Sequence, residues 1–231
     1  MIEKETGFYT GDSFGKVSAI FMRPAKPIWL LVFAHGAGAG IRQAFMSGMA
    51  QHLAEQGIAS FRYQFPYMEQ GKKGPDPQPV LLRTVRSALT AAQECGRGLP
   101  LLAGGKSLGG RMTSTAASQE ALPGVKGLVF FGFPLHAPGK PASDRGEHLF
   151  KISLPMLFLQ GTRDSLAEPA MMSPMCARLQ GGRPVRLHFI DGADHSFHVP
   201  KNSGRSDEAV WGELAGMVSK WASELGSAIT L

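Results

Sequence analysis

The sequence predicts an α/β fold, a three-layer α/β/α sandwich whose mainly parallel sheet has an antiparallel N-terminal edge. Apolar runs of β-forming residues recur along the chain, and most are continuous rather than alternating, as is typical of strands covered on both faces. Helix-like segments separate these runs, so that strand and helix alternate five times. That alternation implies right-handed crossovers between parallel strands.

The elements follow in chain order. Residues 5–22 predict an antiparallel hairpin or meander at one edge of the sheet. The predicted strands that follow are residues 28–34, 58–63, 100–105, 125–131, 155–161 and 185–190. The predicted helices are residues 41–56, 79–95, 108–120, 168–180 and 207–225. The polar, proline-containing residues 66–79 and 134–148 are predicted to be loops that border a ligand crevice.

The length and composition predict one domain over residues 1–231. The chain has 231 residues, of which 43% are hydrophobic and 18% charged, enough to build one large core. No long insertion follows the predicted strand at 125–131. We therefore expect no substantial lid and an open, shallow site.

Charge and targeting signals narrow the classes of partner. The net charge is +6, but the basic residues are scattered and the longest basic run is Lys72-Lys73, so we expect no nucleic acid as partner. The N-terminal segment has no apolar core, and no apolar stretch reaches the ~20 residues needed to cross a bilayer, so we expect no membrane insertion. Cys95 and Cys176 are too few for a disulfide scaffold, which favours a cytoplasmic protein.

The sequence predicts neither a cofactor nor a metal. The glycines of residues 36–40 lack the G-x-G-x-x-G spacing of a dinucleotide-binding turn. Lys106 precedes a serine as in a phosphate-binding loop, but that motif requires glycine where Pro100 stands. No cluster of His, Cys and carboxylate residues has metal-ligand spacing.

Two serines lie in the pattern G-x-S-x-G, and their contexts differ. Ser107 follows an apolar strand and precedes a helix, whereas Ser13 has no sheet before it and lies where a hairpin would turn. A nucleophile elbow strains the serine backbone and needs small neighbours, which Gly105 and Gly109 provide. We therefore predict that Ser107 is the nucleophile.

A serine needs a base and an acid that orients it. Asp164 and His195 each follow a predicted strand, and the order Ser, Asp, His is the one expected of this architecture. Asp144, which follows the preceding strand, is an alternative acid. Asp191 and Asp194 share the loop of His195 and are less suited to reach its Nδ1.

With these motifs the chain resembles the α/β-hydrolase superfamily over nearly its whole length. The elbow, the G-x-x-D loop of Asp164 and the D-H-x-F loop of His195 stand where that superfamily has them. Within it, the chain is similar to small lidless proteins near the dienelactone hydrolases, including a group with a testis-expressed member. Dienelactone hydrolases use a cysteine nucleophile, so Ser107 departs from them.

The resemblance also implies an oxyanion hole and a role for His35. The backbone N–H groups of Ala37 and Leu108 would bind the oxyanion, and such donors typically lower the barrier by about 3 kcal/mol each. His35 precedes the glycine turn, and its two alternative roles are contact with substrate and local hydrogen bonding that shapes the turn.

These residues predict a serine hydrolase that cleaves a small carboxylic ester, or a thioester or amide, through an acyl-enzyme. The partner expected is a small acyl substrate. The alternatives are a non-enzymatic interaction module on the same fold and an acyltransferase or lyase that uses the same three residues. The sequence does not predict an oligomeric state.

Overall fold

A computed structural model describes residues 1–11, 15–140 and 142–229. In these residues eight strands form one sheet in the order β1-β2-β4-β3-β5-β6-β7-β8. The strands are β1 Ile2–Tyr9, β2 Lys16–Arg23, β3 Trp29–Ala34, β4 Ile58–Tyr63, β5 Leu101–Lys106, β6 Val125–Phe131, β7 Met156–Gly161 and β8 Val185–Ile190. Ser13, the second serine of the G-x-S-x-G pattern, lies outside the described residues.

The sheet is parallel except at its N-terminal edge. β1 pairs antiparallel with β2, and β2 pairs antiparallel with β4. All later neighbours, from β4 and β3 to β7 and β8, pair in parallel. The carboxyl ends of the parallel strands therefore meet at one edge, as the sequence predicted.

Helices cover both faces of the sheet. The α-helices are α1 Ala44–Glu55, α2 Pro66–Glu69, α3 Gln78–Cys95, α4 Leu108–Gln119, α5 Pro169–Leu179 and α6 Asp207–Ile229. One core cluster includes buried side chains of α3, α4 and α5, such as Val85, Met112 and Met172. The other includes buried side chains of α1 and α6, such as Leu53 and Val218. The predicted three-layer sandwich is confirmed.

Both segments that the sequence predicted as loops contain short helices, so those predictions need correction. α2 lies within residues 66–79, where Pro66 occupies the first helical turn and the Tyr67 N–H donates to Asp76 Oδ2 at 2.7 Å. A 3₁₀ helix, Asp144–Lys151, begins within residues 134–148 and packs against α4 and α5, burying Leu149. These tertiary contacts override the polar, proline-rich composition.

Two helix boundaries also differ from the prediction. α1 begins at Ala44 rather than at residue 41. Ile41 lies in a turn before the helix, and its N–H donates to Gln64 Oε1 at 3.0 Å. α6 continues to Ile229, beyond the predicted end at residue 225. In the described ranges, no helix combines the length and apolarity that a bilayer crossing requires.

Candidate active site

Ser107 lies in the sharp turn between the last residue of β5 and the first residue of α4. Its backbone has φ 49° and ψ −112°, a conformation that typically costs a non-glycine residue about 1–3 kcal/mol. The Ser107 N–H donates to the Phe131 carbonyl at 3.1 Å, and its carbonyl accepts the Arg111 N–H at 3.0 Å. These two bonds hold the strained turn between the sheet and the helix.

Close packing behind the turn requires glycine. A Cβ atom at Gly109 would lie 2.4 Å from the Ala34 carbonyl oxygen, so any side chain there would push α4 away from β3. Gly105 has φ +157°, and a Cβ atom there would lie 2.5 Å from the same oxygen. The glycines that flank Ser107 in the sequence therefore serve the approach of helix to sheet.

Asp164 follows β7 and is almost completely buried, at 1% exposure. Its Oδ1 accepts the Leu166 N–H at 2.8 Å. Its Oδ2 accepts bonds from the Gln160 side-chain amide and from His195 Nδ1, the latter at 2.7 Å. The Gln160 Oε1 in turn accepts the Phe133 N–H at 3.0 Å, which fixes the orientation of the amide. The carboxylate is therefore held rigidly.

His195 follows β8 and links the carboxylate to the serine. Because a carboxylate only accepts, Nδ1 carries the proton, and Nε2 is left as the acceptor for Ser107 Oγ at 2.9 Å. The His195 side chain is 23% exposed, so it borders solvent on one side. This chain of hydrogen bonds can withdraw the hydroxyl proton of Ser107 and return it to a leaving group.

The structure does not bring the alternative acids to His195 Nδ1. Asp194 Oδ1 accepts the N–H groups of Ser196 at 2.7 Å and His198 at 3.0 Å, so it caps the loop that carries the histidine. Asp191 Oδ1 accepts the Thr162 hydroxyl at 3.4 Å. Asp144 begins the 3₁₀ helix. Asp164 occupies the orienting position that these residues do not.

A cavity of about 450 Å³ opens above Ser107. Leu166 and Phe45 give it apolar walls, while Gln43, Ser196 and His195 contribute polar groups. The glycine-rich residues 36–39 line the side that faces the elbow. The cavity is large enough for a small ligand. Except for Phe45 of α1, its lining residues lie at the ends of sheet strands or in the loops that follow them.

The two predicted oxyanion donors lie in the glycine-rich turn after β3 and at the start of α4. Ala37 lines the cavity in a turn held by the Ala39 N–H bond to the Gly36 carbonyl at 3.2 Å. The Tyr67 hydroxyl accepts the Gly38 N–H of the same turn at 3.3 Å. Leu108 is the first residue of α4, where a backbone N–H has no partner within the helix and favours negative charge.

His35 is fully buried, and its side chain is satisfied locally. Nδ1–H donates to the Gly36 carbonyl at 2.8 Å, and Nε2 accepts the Phe65 N–H at 3.1 Å. Burial lowers the pKa of the imidazole to about 4, although the bond to Gly36 acts against this change. Of the two predicted roles, the structure supports the shaping of the turn. The side chain of His35 is not among those that line the cavity, which favours the same role.

Sequence reasoning missed two side chains at this site. Gln160 points from the end of β7 to Asp164, and nothing in its local sequence indicates that contact. Lys106 lines the cavity and contacts the loop of His195. In the sequence it was considered only as part of a phosphate-binding motif, which was excluded. Its position directly before Ser107 was the available signal in the sequence. In the described part of the chain, no three His, Cys, Asp or Glu side chains converge as a metal-binding group.

Comparison with solved structures gives related folds over almost the whole chain. A dienelactone hydrolase from Anabaena variabilis matches with TM-score 0.74 and 19% identity, covering 96% of this chain and 97% of that chain. An alpha-beta serine hydrolase homologue from Coxiella burnetii matches with TM-score 0.74 and 16% identity, covering 95% and 97%. A serine hydrolase without lid from Xanthomonas campestris matches with TM-score 0.71 and 17% identity, covering 95% and 94%.

At these identities the structural matches show the fold alone. The sequence itself matches the profile of the family described as alpha/beta hydrolase domain over residues 27–223. That range begins just before β3, contains the elbow and both loops that reach it, and ends within α6. With a serine hydrogen-bonded to a histidine at the carboxyl edge of its sheet, the chain belongs to the alpha/beta hydrolase family.

Proposed function

We propose that the protein is a serine hydrolase that cleaves a small carboxylic ester through an acyl-enzyme. The observation that carries the proposal is the continuous hydrogen-bond chain from Ser107 Oγ through His195 to Asp164, at 2.9 Å and 2.7 Å. Two of the similar structures are described as serine hydrolases, which is in keeping with a serine nucleophile in this chain.

The chemistry follows from the position of each proton. Ser107 Oγ attacks the substrate carbonyl carbon while His195 Nε2 takes the hydroxyl proton. Asp164 stabilises the imidazolium that forms, and the N–H groups of Ala37 and Leu108 bind the oxyanion. Collapse of this intermediate breaks the ester C–O bond, and Nε2–H protonates the departing alcohol.

Water then releases the acyl group. His195 removes a proton from the water molecule, whose oxygen attacks the acyl carbonyl carbon. The second tetrahedral intermediate breaks the bond to Ser107 Oγ, which regains its proton from His195. The free acid leaves, and the site returns to its starting protonation state. Substrates whose acyl and alcohol groups fit the cavity of about 450 Å³ are expected.

A fluorophosphonate probe and a panel of p-nitrophenyl esters and thioesters of graded length test the proposal. We expect the probe to label Ser107 and Ser107→Ala to abolish both labelling and turnover. Ser13→Ala is the matched control because Ser13 has the same G-x-S-x-G pattern, and it should retain both. Labelling that follows Ser13 would contradict the elbow assignment. A folded protein that neither reacts with the probe nor turns over any ester would favour the interaction module.

A further inference from the structure

The amine of Lys106 joins the two loops that carry the nucleophile and the base. Lys106 is the residue before Ser107 and is only 9% exposed. Its Nζ donates a hydrogen bond to the backbone carbonyl of His195. The same Nζ lies 5.3 Å from the ring centroid of Phe197 and 5.9 Å from that of Phe45. A single side chain thus contacts the backbone of His195 and the ring two residues beyond it.

Both loops contain backbone strain that must be held in place. In the described ranges, the non-glycine residues with positive φ are Ser107, at 49°, and Phe197, at 63°. Such conformations persist only where surrounding contacts favour them over relaxed alternatives. Lys106 is covalently joined to the first of these residues and packs against the ring of the second. It is therefore placed to hold the two strained segments in one relative position.

The surroundings of Nζ are suited to a cation. The carboxylates of Asp164 and Asp194 favour its charged form, and the imidazole of His195 lies on the loop whose backbone Nζ contacts. The face of the Phe197 ring attracts the ammonium charge. This ring is stacked on that of Phe45, with 5.6 Å between the ring centroids. A Cβ atom at Gly132 would lie 3.0 Å from Nζ, so the backbone of Gly132 packs close to the amine.

We propose that Lys106 is a positioning residue for the reaction, whose ammonium group fixes the backbone of His195 relative to Ser107. The inference rests on the proposed function, because it assigns Lys106 a task in the same proton transfer. Lys106 acts through His195 and exchanges no proton with substrate. Its bond to the His195 carbonyl and its contact with Phe197 keep Nε2 within hydrogen-bond distance of Ser107 Oγ.

A side chain that served packing alone would not need the charge. Burial lowers the pKa of the Lys106 ammonium to about 8, against the opposing effect of Asp164 and Asp194. An apolar side chain of similar shape would not carry the desolvation cost of this charge. Positioning therefore predicts that Lys106→Met lowers activity in a protein that is at least as stable. Packing predicts instead that Lys106→Met lowers stability.

The experiment compares the wild type, Lys106→Met and Lys106→Arg, with Lys126→Met as control because Lys126 is an exposed lysine on β6. For Lys106→Met we expect kcat on a p-nitrophenyl ester to fall roughly 10- to 100-fold, as a displaced catalytic group would cause, with KM changed less than about 3-fold. Amide hydrogen exchange in residues 194–198 should become faster. The urea midpoint should be retained or raised, and Lys126→Met should match the wild type throughout.

The dependence of kcat on pH distinguishes the effect of the Lys106 charge from the effect of its side-chain shape. In the wild type, kcat should decline as pH rises through about 8, because Lys106 then loses its charge. This decline should be absent in Lys106→Met. It should also be absent in Lys106→Arg, whose guanidinium keeps its charge, while its kcat at neutral pH should exceed that of Lys106→Met.

Each remaining outcome decides the matter. Wild-type kcat and wild-type exchange in Lys106→Met would overturn the inference, as would an alkaline decline of kcat that is the same in the wild type and in Lys106→Met. A large loss of stability in Lys106→Met, with the alkaline decline retained in Lys106→Arg, would assign Lys106 to packing. If the wild type hydrolyses no ester, the proposed function fails, and the exchange of residues 194–198 still tests whether Lys106 holds the loop.

Discussion

At the residue scale, the carboxylate of Asp164 fixes the protonation pattern of the candidate site. Three donors converge on it, from Gln160, Leu166 and His195. Because the carboxylate accepts from Nδ1, the other nitrogen of His195 must accept from Ser107 Oγ. A single buried charge therefore determines which way the serine proton can move.

Replacement of that charge is expected to remove activity without removing the fold. An amide in Asp164→Asn can present its NH₂ group to Nδ1, which favours the wrong imidazole tautomer and leaves the imidazolium without a counter-charge. We expect kcat to fall roughly 10³- to 10⁴-fold, the size of loss such a change causes in serine proteases. Steady-state kinetics and circular dichroism measure the two effects. Asp144→Asn is the control, and the opposite pattern would assign the acid to Asp144.

At the element scale, the approach of α4 to β3 decides where Ser107 lies. Ser107 is the N-cap of this helix, so any shift of α4 moves its Oγ relative to His195. The contact is backbone against backbone, because a Cβ atom at Gly109 would lie 2.4 Å and 2.6 Å from the Ala34 carbonyl oxygen and carbon. Flexible side chains can yield to such a contact, but a β-strand in the middle of a sheet has little freedom to do so.

Gly109→Ala is therefore expected to lower the free energy of unfolding by about 1–3 kcal/mol and to reduce turnover as well. Urea unfolding and ester hydrolysis measure the two effects. Gly216→Ala is the matched control, because Gly216 lies inside α6 and a Cβ atom there meets nothing within 4 Å. It should be neutral or stabilising by up to about 1 kcal/mol. Equal stability of the two variants would contradict close packing at the elbow.

At the scale of the whole molecule, buried histidines couple stability to pH. Burial lowers the pKa of His35 to about 4, and burial together with the nearby Arg111 charge lowers the pKa of His148 to about 4. The unfolded chain takes up protons at these residues near the ordinary value of 6.5. Stability is therefore fully present above pH 6.5 and is lost as pH falls through 4.

For His35 alone this loss amounts to about 3 kcal/mol between pH 7 and pH 4. His35→Gln keeps one donor and one acceptor for the Gly36 carbonyl and the Phe65 N–H, but it does not titrate. We expect the variant to lose less stability than the wild type over this range, measured by urea unfolding at several pH values. Parallel pH curves for the two proteins would show that His35 is not a source of acid sensitivity.

The sequence by itself determined the order of elements and the three residues that the structure brings together. Continuous apolar runs require strands buried on both faces, and the alternation with helices requires parallel crossovers, so the fold followed from local patterns. Because parallel strands end at one edge, Ser107, Asp164 and His195 were expected to meet there. Their roles in catalysis, and the oxyanion roles of Ala37 and Leu108, remain predictions.

Only the tertiary structure decided how each polar group is satisfied. His35 could touch substrate or shape its turn, and the choice depends on Phe65, thirty residues away along the chain. The contact of Lys106 with His195 spans 89 residues, and that of Gln160 with Asp164 depends on the turn after β7. Local sequence records which donors and acceptors a residue carries. Which of them meet is set by the packing of distant segments, because burial requires each group to find its partner there.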